Sequence, residues 1–323
     1  MIGRAPSFLR ALALIERMAR FDAPVLIHGE TGTGKELAAR AIHYGSARCN
    51  APFVAVNCGA IPDSLIESEL FGCERGAFTD ARQTRIGLIG DAEGGTLFLD
   101  ELDAMPARAQ VSLLRFLQDH RYRRVGSSAE RFGDVRVISA ASQRLTKLQA
   151  SGDFRDDLVF RLGVLPLVMP PLRERPGDAL LLAEHFVLRH ARQHGMAQRR
   201  LHAQSVAWLI AHAWPGTVRE LDNRVQRALL LSDDEVLRLM PEEEPAGGVS
   251  IAPAMQSAAG AMPRFNDARE DALRRFERDY LENLMQATAG NVTHAARMAG
   301  KERRCLGRML KRHGIAGALF HGC

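Results

Sequence analysis

Residues with the types and spacing for phosphate chemistry lie near the start of this chain. Gly29-Glu30-Thr31-Gly32-Thr33-Gly34-Lys35-Glu36 follows the short β-rich run Val25-Leu26-Ile27 and opens into the helical pattern Leu37-Ala38-Ala39-Arg40-Ala41-Ile42. Strand, glycine loop and helix in that order are the context of a phosphate-binding loop. Its glycines let backbone N–H groups converge on phosphate oxygens at a helix N-terminus, where the dipole favours an anion. Lys35 would carry positive charge to the outer phosphates of ATP. Glu36 stands where the general motif has Ser or Thr to help hold Mg2+, so the metal would depend more on other ligands. About sixty-five residues beyond Lys35, Gly94-Gly95-Thr96-Leu97-Phe98-Leu99-Asp100-Glu101 reads as a buried strand ending in two carboxylates. Asp100 would bind Mg2+ directly or through water, and Glu101 would polarise the attacking water.

A second kind of chemistry is concentrated at the other end. Asn291-Val292-Thr293-His294-Ala295-Ala296-Arg297-Met298-Ala299-Gly300 reads as a capped short helix stopped by glycine, and a second helix spans about 303–313. Two short helices around a Gly-containing turn form the helix-turn-helix pattern, whose second helix enters the major groove of double-stranded DNA. Residues 291–315 hold Arg297, Lys301, Arg303, Arg304, Arg308, Lys311 and Arg312 against Glu302 alone, a local excess greater than the +5 of the whole chain. Such clustering favours phosphate contacts, and Arg303, Arg304, Arg308, Lys311 and Arg312 are the candidate DNA-binding residues.

Between these ends lies Glu69-Leu70-Phe71-Gly72-Cys73-Glu74-Arg75-Gly76-Ala77-Phe78-Thr79-Asp80-Ala81. Here the chain resembles the sigma-54-dependent bacterial enhancer-binding activators of the AAA+ superfamily. The resemblance runs from Ile2-Gly3-Arg4 to a Fis-like DNA-binding end. In that family the consensus loop is GAFTGA, whose Phe and Thr contact the sigma factor, so the resemblance implies that role for Phe78 and Thr79. Asp80 departs from it: Gly adopts φ > 0 freely, whereas Asp does so at some cost and adds a charge. A tolerated variant, a weakened activator and a regulator that has left sigma-54 are the three readings of that change.

The resemblance implies further roles. Asn57, in Val56-Asn57-Cys58, matches a strand-end Asn that would pair with Glu101 and hold it inactive until partner contact. Arg155 and Arg161 match the segment that supplies arginine fingers to a neighbouring subunit, worth about 10³–10⁵ in rate in other phosphoryl-transfer systems. Six positions apart, they would not share one helix face fully, and one of them would serve mainly as an ion-pair residue. Arg219, in Trp214-Pro215-Gly216-Thr217-Val218-Arg219-Glu220-Leu221, matches the lid residue that touches the nucleotide of its own subunit. In Arg136-Val137-Ile138-Ser139-Ala140-Ala141-Ser142 the family's terminal Thr-Asn is replaced by Ala141 and Ser142, which leaves at most a Ser hydroxyl to sense the γ-phosphate.

The elements that position these groups imply an α/β fold with a mainly parallel sheet, and the resemblance makes it an AAA+ phosphate-loop NTPase core with an all-helical lid and a C-terminal helix-turn-helix domain. Strands at 25–28, 53–57, 96–100 and 135–140 alternate with helical stretches in the core, residues 1–171. Residues 172–240 form the lid, with Val218, Leu221, Val225, Ala228 and Leu229 as an apolar stripe. Residues 241–265, rich in Glu, Ala, Gly, Ser and Pro, form a flexible linker, and 266–323 the DNA-binding domain. A helix over 266–288 carries Leu273, Phe276, Tyr280, Leu281 and Leu284 on one stripe, expected to pack on the motif and on a second copy.

Bulk properties agree with this reading. A chain of 323 residues with 46% apolar content supports a buried core with appendages. It lacks both an 18-residue apolar run and a leader, so a cytoplasmic location without membrane contact is expected. Cys49, Cys58, Cys73, Cys305 and Cys323 lack metal-ligand spacing and read as reduced thiols. His43, His185 and His190 read as helix-surface residues. Many members of the family carry a receiver or sensory domain ahead of the ATPase; this sequence opens on the ATPase pattern, so either regulation by another protein or a domain lost from the start is expected.

The expected activity is ATP hydrolysis by a homo-oligomer, from dimer to hexamer, that remodels sigma-54 RNA polymerase holoenzyme. The alternative is a nucleotide-gated DNA-binding regulator that does not act through sigma-54.

Overall fold

The computed structural model describes residues 1–77, 83–197, 199–232, 234, 236–239, 273–274, 277–278, 280–281, 284–286, 288 and 290–315. Phe78, Thr79, Asp80, Phe276 and the expected linker 241–265 lie outside the described residues. The chain divides into two units, Met1–Pro245 and Ala246–Cys323.

In the first unit, α1 (Pro6–Ala19) precedes β1 (Val25–His28), α2 (Lys35–Tyr44) and β2 (Phe53–Asn57). Then come α3 (Ile66–Phe71), α4 (Leu88–Asp91), β3 (Thr96–Asp100), α5 (Ala107–Asp119) and the strands β4 (Arg121–Arg123) and β5 (Glu130–Phe132). β6 (Arg136–Ala141), α6 (Arg144–Ser151), α7 (Asp156–Leu162) and β7 (Leu165–Val168) complete the core. The lid adds α8 (Asp178–Gln193), β8 (Arg200–Leu201), α9 (Ala203–Ala211), α10 (Thr217–Leu231) and β9 (Val236–Leu237).

Five strands form a parallel sheet in the order β2-β3-β6-β1-β7. Successive side chains point to opposite faces, so each strand feeds two cores. Leu26, Leu97, Leu99 and Val137 pack with Leu113 and Phe116 of α5 and Leu158 of α7. Val25, Ile27, Phe98 and Ile138 pack with Phe8 and Ile15 of α1 and Ile42 of α2. Each such side chain contributes about 1.5–3 kcal/mol on burial. The register sets Asn57 beside Asp100 and His28 beside Ala141. The carboxyl ends of β1, β3 and β6 therefore open at one edge, where parallel α/β sheets bind ligands.

Four of the five strands match the sequence expectation. β7 escaped it because Pro166 interrupts the run; the strand sits at the sheet edge, where proline is tolerated. The β4–β5 pair is exposed, with Arg121 and Arg123 both ion-paired to Glu130, so it shows no apolar alternation. Among its described residues the regular structure of the lid is helical apart from a two-residue parallel ladder between β8 and β9, too short to show a period.

The helix-surface reading of two histidines is corrected. His43 is fully buried, its Nδ1 2.9 Å from Thr96 Oγ1. His190 is 4% exposed, its Nε2 2.8 Å from Asp222 Oδ1. Both lie on the core-facing side of their helices, where a polar partner from another element satisfies one ring nitrogen.

The chain start is locked to the joint that carries the lid. Asp178 Oδ1 accepts from the Arg4 and Ala5 amides at 2.6 and 3.1 Å, and Asp178 Oδ2 accepts from Arg175 Nε at 2.8 Å. Arg175 also donates to the Ile2 carbonyl and lies over the Phe8 ring. A Cβ at Gly3 would stand 2.3 Å from Phe8 and 2.5 Å from Asp178 Oδ2, so only glycine fits.

In the second unit, helical residues between 273 and 286 accompany the helices Val292–Met298 and Arg303–Arg312. Leu281, Leu284, Met285, Ala295, Ala296, Leu306 and Leu310 form its core. The expected stripe divides: Leu281 and Leu284 are buried in this unit, whereas Leu273 and Tyr280 are exposed.

Candidate active site and nucleic-acid interface

The phosphate loop is held open by backbone geometry. Gly32 and Gly34 have φ of 85° and 92°, the left-handed region that favours glycine, and Gly34 is the N-cap of α2. The Thr33 hydroxyl donates to Glu30 O at 2.8 Å. Lys35 Nζ donates to Gly29 O at 2.8 Å and Glu30 O at 3.2 Å, so the cation lies folded across its own loop. Burial pushes the Lys35 ammonium down, against the opposing pull of Asp100, Asp103 and Glu101. Glu36 is exposed and ion-paired with Arg40 one turn on.

A cleft of about 490 Å³ opens beside the loop, lined by Lys35, Asp100, Glu101, Asp103, Ser142 and Arg219 among others. Asp100 closes β3, and its Oδ1 accepts from the Glu101 amide at 2.9 Å. Burial pushes the Asp100 carboxyl up. Glu101 sits at φ 51°, a left-handed conformation that costs a non-glycine residue about 1–2 kcal/mol. Cys58, at the end of β2, is buried beside these acids, and its thiol is pushed up to about 12, so it remains protonated. Among the described residues, Cys49, Cys58, Cys73 and Cys305 are free thiols.

Asn57 and Glu101 are brought together without the expected hydrogen bond. Asn57 closes β2 and caps the turn Cys58–Ala60, its Oδ1 accepting from the Gly59 amide at 2.8 Å. Glu101 Oε2 overlies the same glycine, 2.5 Å from where a Cβ would be. The local cap engages the Asn57 oxygen, which leaves its amide NH2 as the group that could donate to the carboxylate.

The lid reaches the loop through a strained turn. Trp214 and Thr217 have φ of 50° and 57°, and the Thr217 hydroxyl donates to Thr31 O at 2.8 Å. A Cβ on Gly32 would come within 2.5 Å of Thr217 Oγ1 and 2.9 Å of Arg219 Cβ. That close approach puts Arg219, exposed on α10, into the cleft. On the opposite side of the loop, Arg173 grips Glu30 with two hydrogen bonds of 2.7 and 2.5 Å and holds its carboxyl below the usual range.

Arg155 and Arg161 flank α7 and do not line this cleft of their own chain. Arg155 caps the helix start and pairs with Asp157 at 2.7 Å. Arg161 is exposed in the last turn and lines a separate cavity with Arg48 and Arg136. Of the two, Arg155 makes an ion pair with a carboxylate of its own helix. Sequence reasoning passed over Asp103, Thr217 and Arg173. The only signals were a third acid after Asp100-Glu101, a Thr behind Pro-Gly, and an Arg in a stretch read as a joint.

In the second unit, Asn291 Oδ1 accepts from the Thr293 and His294 amides and so caps the first helix. Gly300 turns the chain at φ 57°, and the second helix buries Leu306 and Leu310. Arg303, Arg304, Arg308, Lys311 and Arg312 are all exposed. By helical spacing Arg304, Arg308, Lys311 and Arg312 share the face opposite the two leucines, whereas Arg303 lies towards the apolar side.

These features meet in one known family. Family models match over residues 1–168 (Sigma-54 interaction domain), 173–242 (AAA+ ATPase lid domain) and 272–313 (Bacterial regulatory protein, Fis family). The chain belongs to the sigma-54-dependent transcriptional regulators. It is 44% identical to the transcriptional regulatory protein GlrR of Escherichia coli K12 over 97% of this chain and 68% of GlrR. FlbD of Caulobacter vibrioides is 40% identical over 98% of this chain and 71% of its own length. The crystal structure of NtrX from Brucella abortus in complex with ATP superposes with a TM-score of 0.73 at 36% identity, over 98% of this chain and 69% of NtrX. Like other sigma-54 regulators, the chain joins an AAA+ ATPase and its lid to a Fis-type DNA-binding end. Among its described residues no helix is long and apolar enough to cross a membrane.

Proposed function

We propose that this sigma-54 regulator binds enhancer-like DNA, assembles in the cytoplasm into a ring of up to six subunits, and uses ATP to remodel sigma-54 RNA polymerase holoenzyme so that promoters open. The observation that carries the reading is the convergence of Lys35, Asp100, Glu101 and Arg219 on one cleft. ATP phosphates would take the loop amides and draw Lys35 off the Gly29 and Glu30 carbonyls.

Mg2+ fits the acid end of the cleft. Asp100 has one carboxylate oxygen engaged by the Glu101 amide, and burial disfavours its bare charge, which a cation would relieve. Asp100 would hold the ion, with the phosphates supplying other ligands, as suits a metal that takes few protein carboxylates. Mg2+ would neutralise charge on the outer phosphates.

Glu101 would orient the attacking water, and Asn57, one turn away over Gly59, would restrain it. Arg155 or Arg161 of a neighbouring subunit would reach the transferring phosphoryl group once Arg155 leaves Asp157. Arg219 would contact the nucleotide of its own subunit. Phe78 and Thr79 would meet the sigma factor, with Asp80 beside them, and the exposed basic face around Arg304 and Arg308 would enter the major groove.

The experiment is ATP-dependent open-complex formation by sigma-54 polymerase, comparing the native chain with Asp80→Gly. Native activity supports the reading and makes Asp80 a tolerated variant. Activity only with Gly means a sound motor with a weakened loop. Silence in both, with ATP hydrolysis intact, refutes remodelling and favours a nucleotide-gated DNA-binding regulator.

A further inference from the structure

Ala141 ends β6 and Ser142 follows it, and this strand end is tied down by polar contacts. Ala141 O accepts from the Gly29 amide at 3.3 Å, which ties β6 to the phosphate loop. The Ser142 amide donates to Asp103 Oδ1 at 3.2 Å, and its hydroxyl donates to Asp103 Oδ2 at 2.9 Å. The same hydroxyl accepts from the Arg144 amide at 3.1 Å. A serine hydroxyl has one hydrogen. Spent on Asp103, it cannot also be donated to a γ-phosphate oxygen.

Asp103 lies in the turn Leu102–Ala104, whose N-cap is Glu101. Leu102 is fully buried, and the Ala104 amide donates back to Glu101 O at 2.9 Å. The left-handed backbone of Glu101 thus stands between β3 and a turn that Ser142 grips at two points. A strained residue keeps its conformation only where its surroundings over-determine it, and this grip supplies that constraint from β6. A continuous path of bonds then links the phosphate loop, Ala141, Ser142, Asp103 and Glu101.

We propose that Asp103 is a positioning residue for Glu101, held in place by the two-point Ser142–Asp103 contact. Asp103 has both carboxylate oxygens engaged by Ser142, and its assigned role is on Glu101 rather than on the reacting atoms. It sets the direction of the Glu101 carboxylate and makes that direction depend on where β6 ends relative to the phosphate loop. The proposal rests on the reading of Glu101 as the residue that orients water.

The test is steady-state ATP hydrolysis by the full chain carrying Asp103→Ala, Ser142→Ala, both together, Ser142→Thr or Glu101→Gln. Binding of a fluorescent ATP analogue and thermal unfolding are measured alongside. Misplacing a catalytic group by about 1 Å costs up to about a hundredfold in rate. Each alanine variant is therefore expected to lower kcat about ten- to a hundredfold, with KM and analogue affinity within about twofold of native. The double variant should lose no more than either single one, and Ser142→Thr, which keeps the hydroxyl, should hold most of the native rate. Multiplied losses in the double variant, or losses confined to KM, would overturn the proposal. Should Asp103→Ala fail to fold, the kcat loss in Ser142→Ala and its recovery in Ser142→Thr decide the matter. Native rates in the alanine variants beside an inactive Glu101→Gln would sink this proposal alone, whereas a fully active Glu101→Gln would overturn the reading of Glu101 and this proposal with it.

Discussion

The two halves of the cleft are built in different ways. On the phosphate side the contacts that shape the loop itself are local: Lys35 to Gly29 and Glu30, Thr33 to Glu30, and two glycines with positive φ, all within six positions. Arg173, Thr217 and Ala141 reach its rim from elsewhere. On the hydrolytic side the groups come from three strands, with Asn57 closing β2, Glu101 following β3, and Ser142 beyond β6 reaching 39 positions back to Asp103. A loop assembled from neighbours forms wherever its residues occur in order between a strand and a helix. A relay assembled across strands depends on sheet order and register, so a change at one strand end can be met by a contact from another. Ser142 and Asp103 illustrate this.

Lys35→Ala and Glu101→Gln should separate the two halves most clearly. Glu101→Gln is expected to cost about 10²–10⁴ in kcat, the range for a positioned acid–base group, while ATP analogue binding persists. Lys35→Ala should lose binding itself. Equal loss of binding in both variants would erase the distinction.

Next in size is the joint between chain start and lid, where contacts span up to 174 positions. Asp178→Ala leaves Arg175, 3% exposed, without its carboxylate. Removing one partner of a buried pair costs about 3–5 kcal/mol. Denaturant unfolding of the ATPase unit should show that loss, and a change below about 1 kcal/mol would mean that the joint is not held in this way.

The DNA-binding end should show smaller, local effects. Asn291→Ala removes a cap and should destabilise that unit by about 1 kcal/mol. Gly307→Ala, at a helix position with open space around a new Cβ, should stabilise it by up to about 1 kcal/mol. Opposite signs in thermal melts of the two variants are the expected result.

The smallest effect belongs to the Arg173–Glu30 pair at the rim of the cleft. The guanidinium holds Glu30 below the usual glutamate value of about 4.3, so its stabilisation is fully present above that pH. It is lost as pH falls through the lower folded value. The melting-temperature gap between native protein and Arg173→Ala should therefore close on acidification. A gap that stays constant down to about pH 3 would show that the pair contributes no linked protonation.

Legibility in the sequence followed the same division. The phosphate loop, β3 with its two acids, and the capped helices around Gly300 all announce themselves through residues a few positions apart. β7 was hidden by Pro166, and the burial of His43 and His190 by partners that lie on other elements, Thr96 and Asp222. Asn57 stands at a strand end as expected, but the pair with Glu101 does not form: the Asn57 oxygen caps its own turn while Glu101 Oε2 lies over Gly59.

By itself the sequence determined four strands of the main sheet, the phosphate loop, the acid pair and the basic helix, because each depends on backbone geometry or charge within one or two turns. Only the tertiary structure decided that Asp103 and Ser142 meet, that Thr217 brings Arg219 to Gly32, and that Asp178 locks Arg4 and Ala5 to the lid joint. The first depends on strand order and register, settled by burial of both sheet faces, and the other two on how the lid helices and the segment before α1 pack against the core.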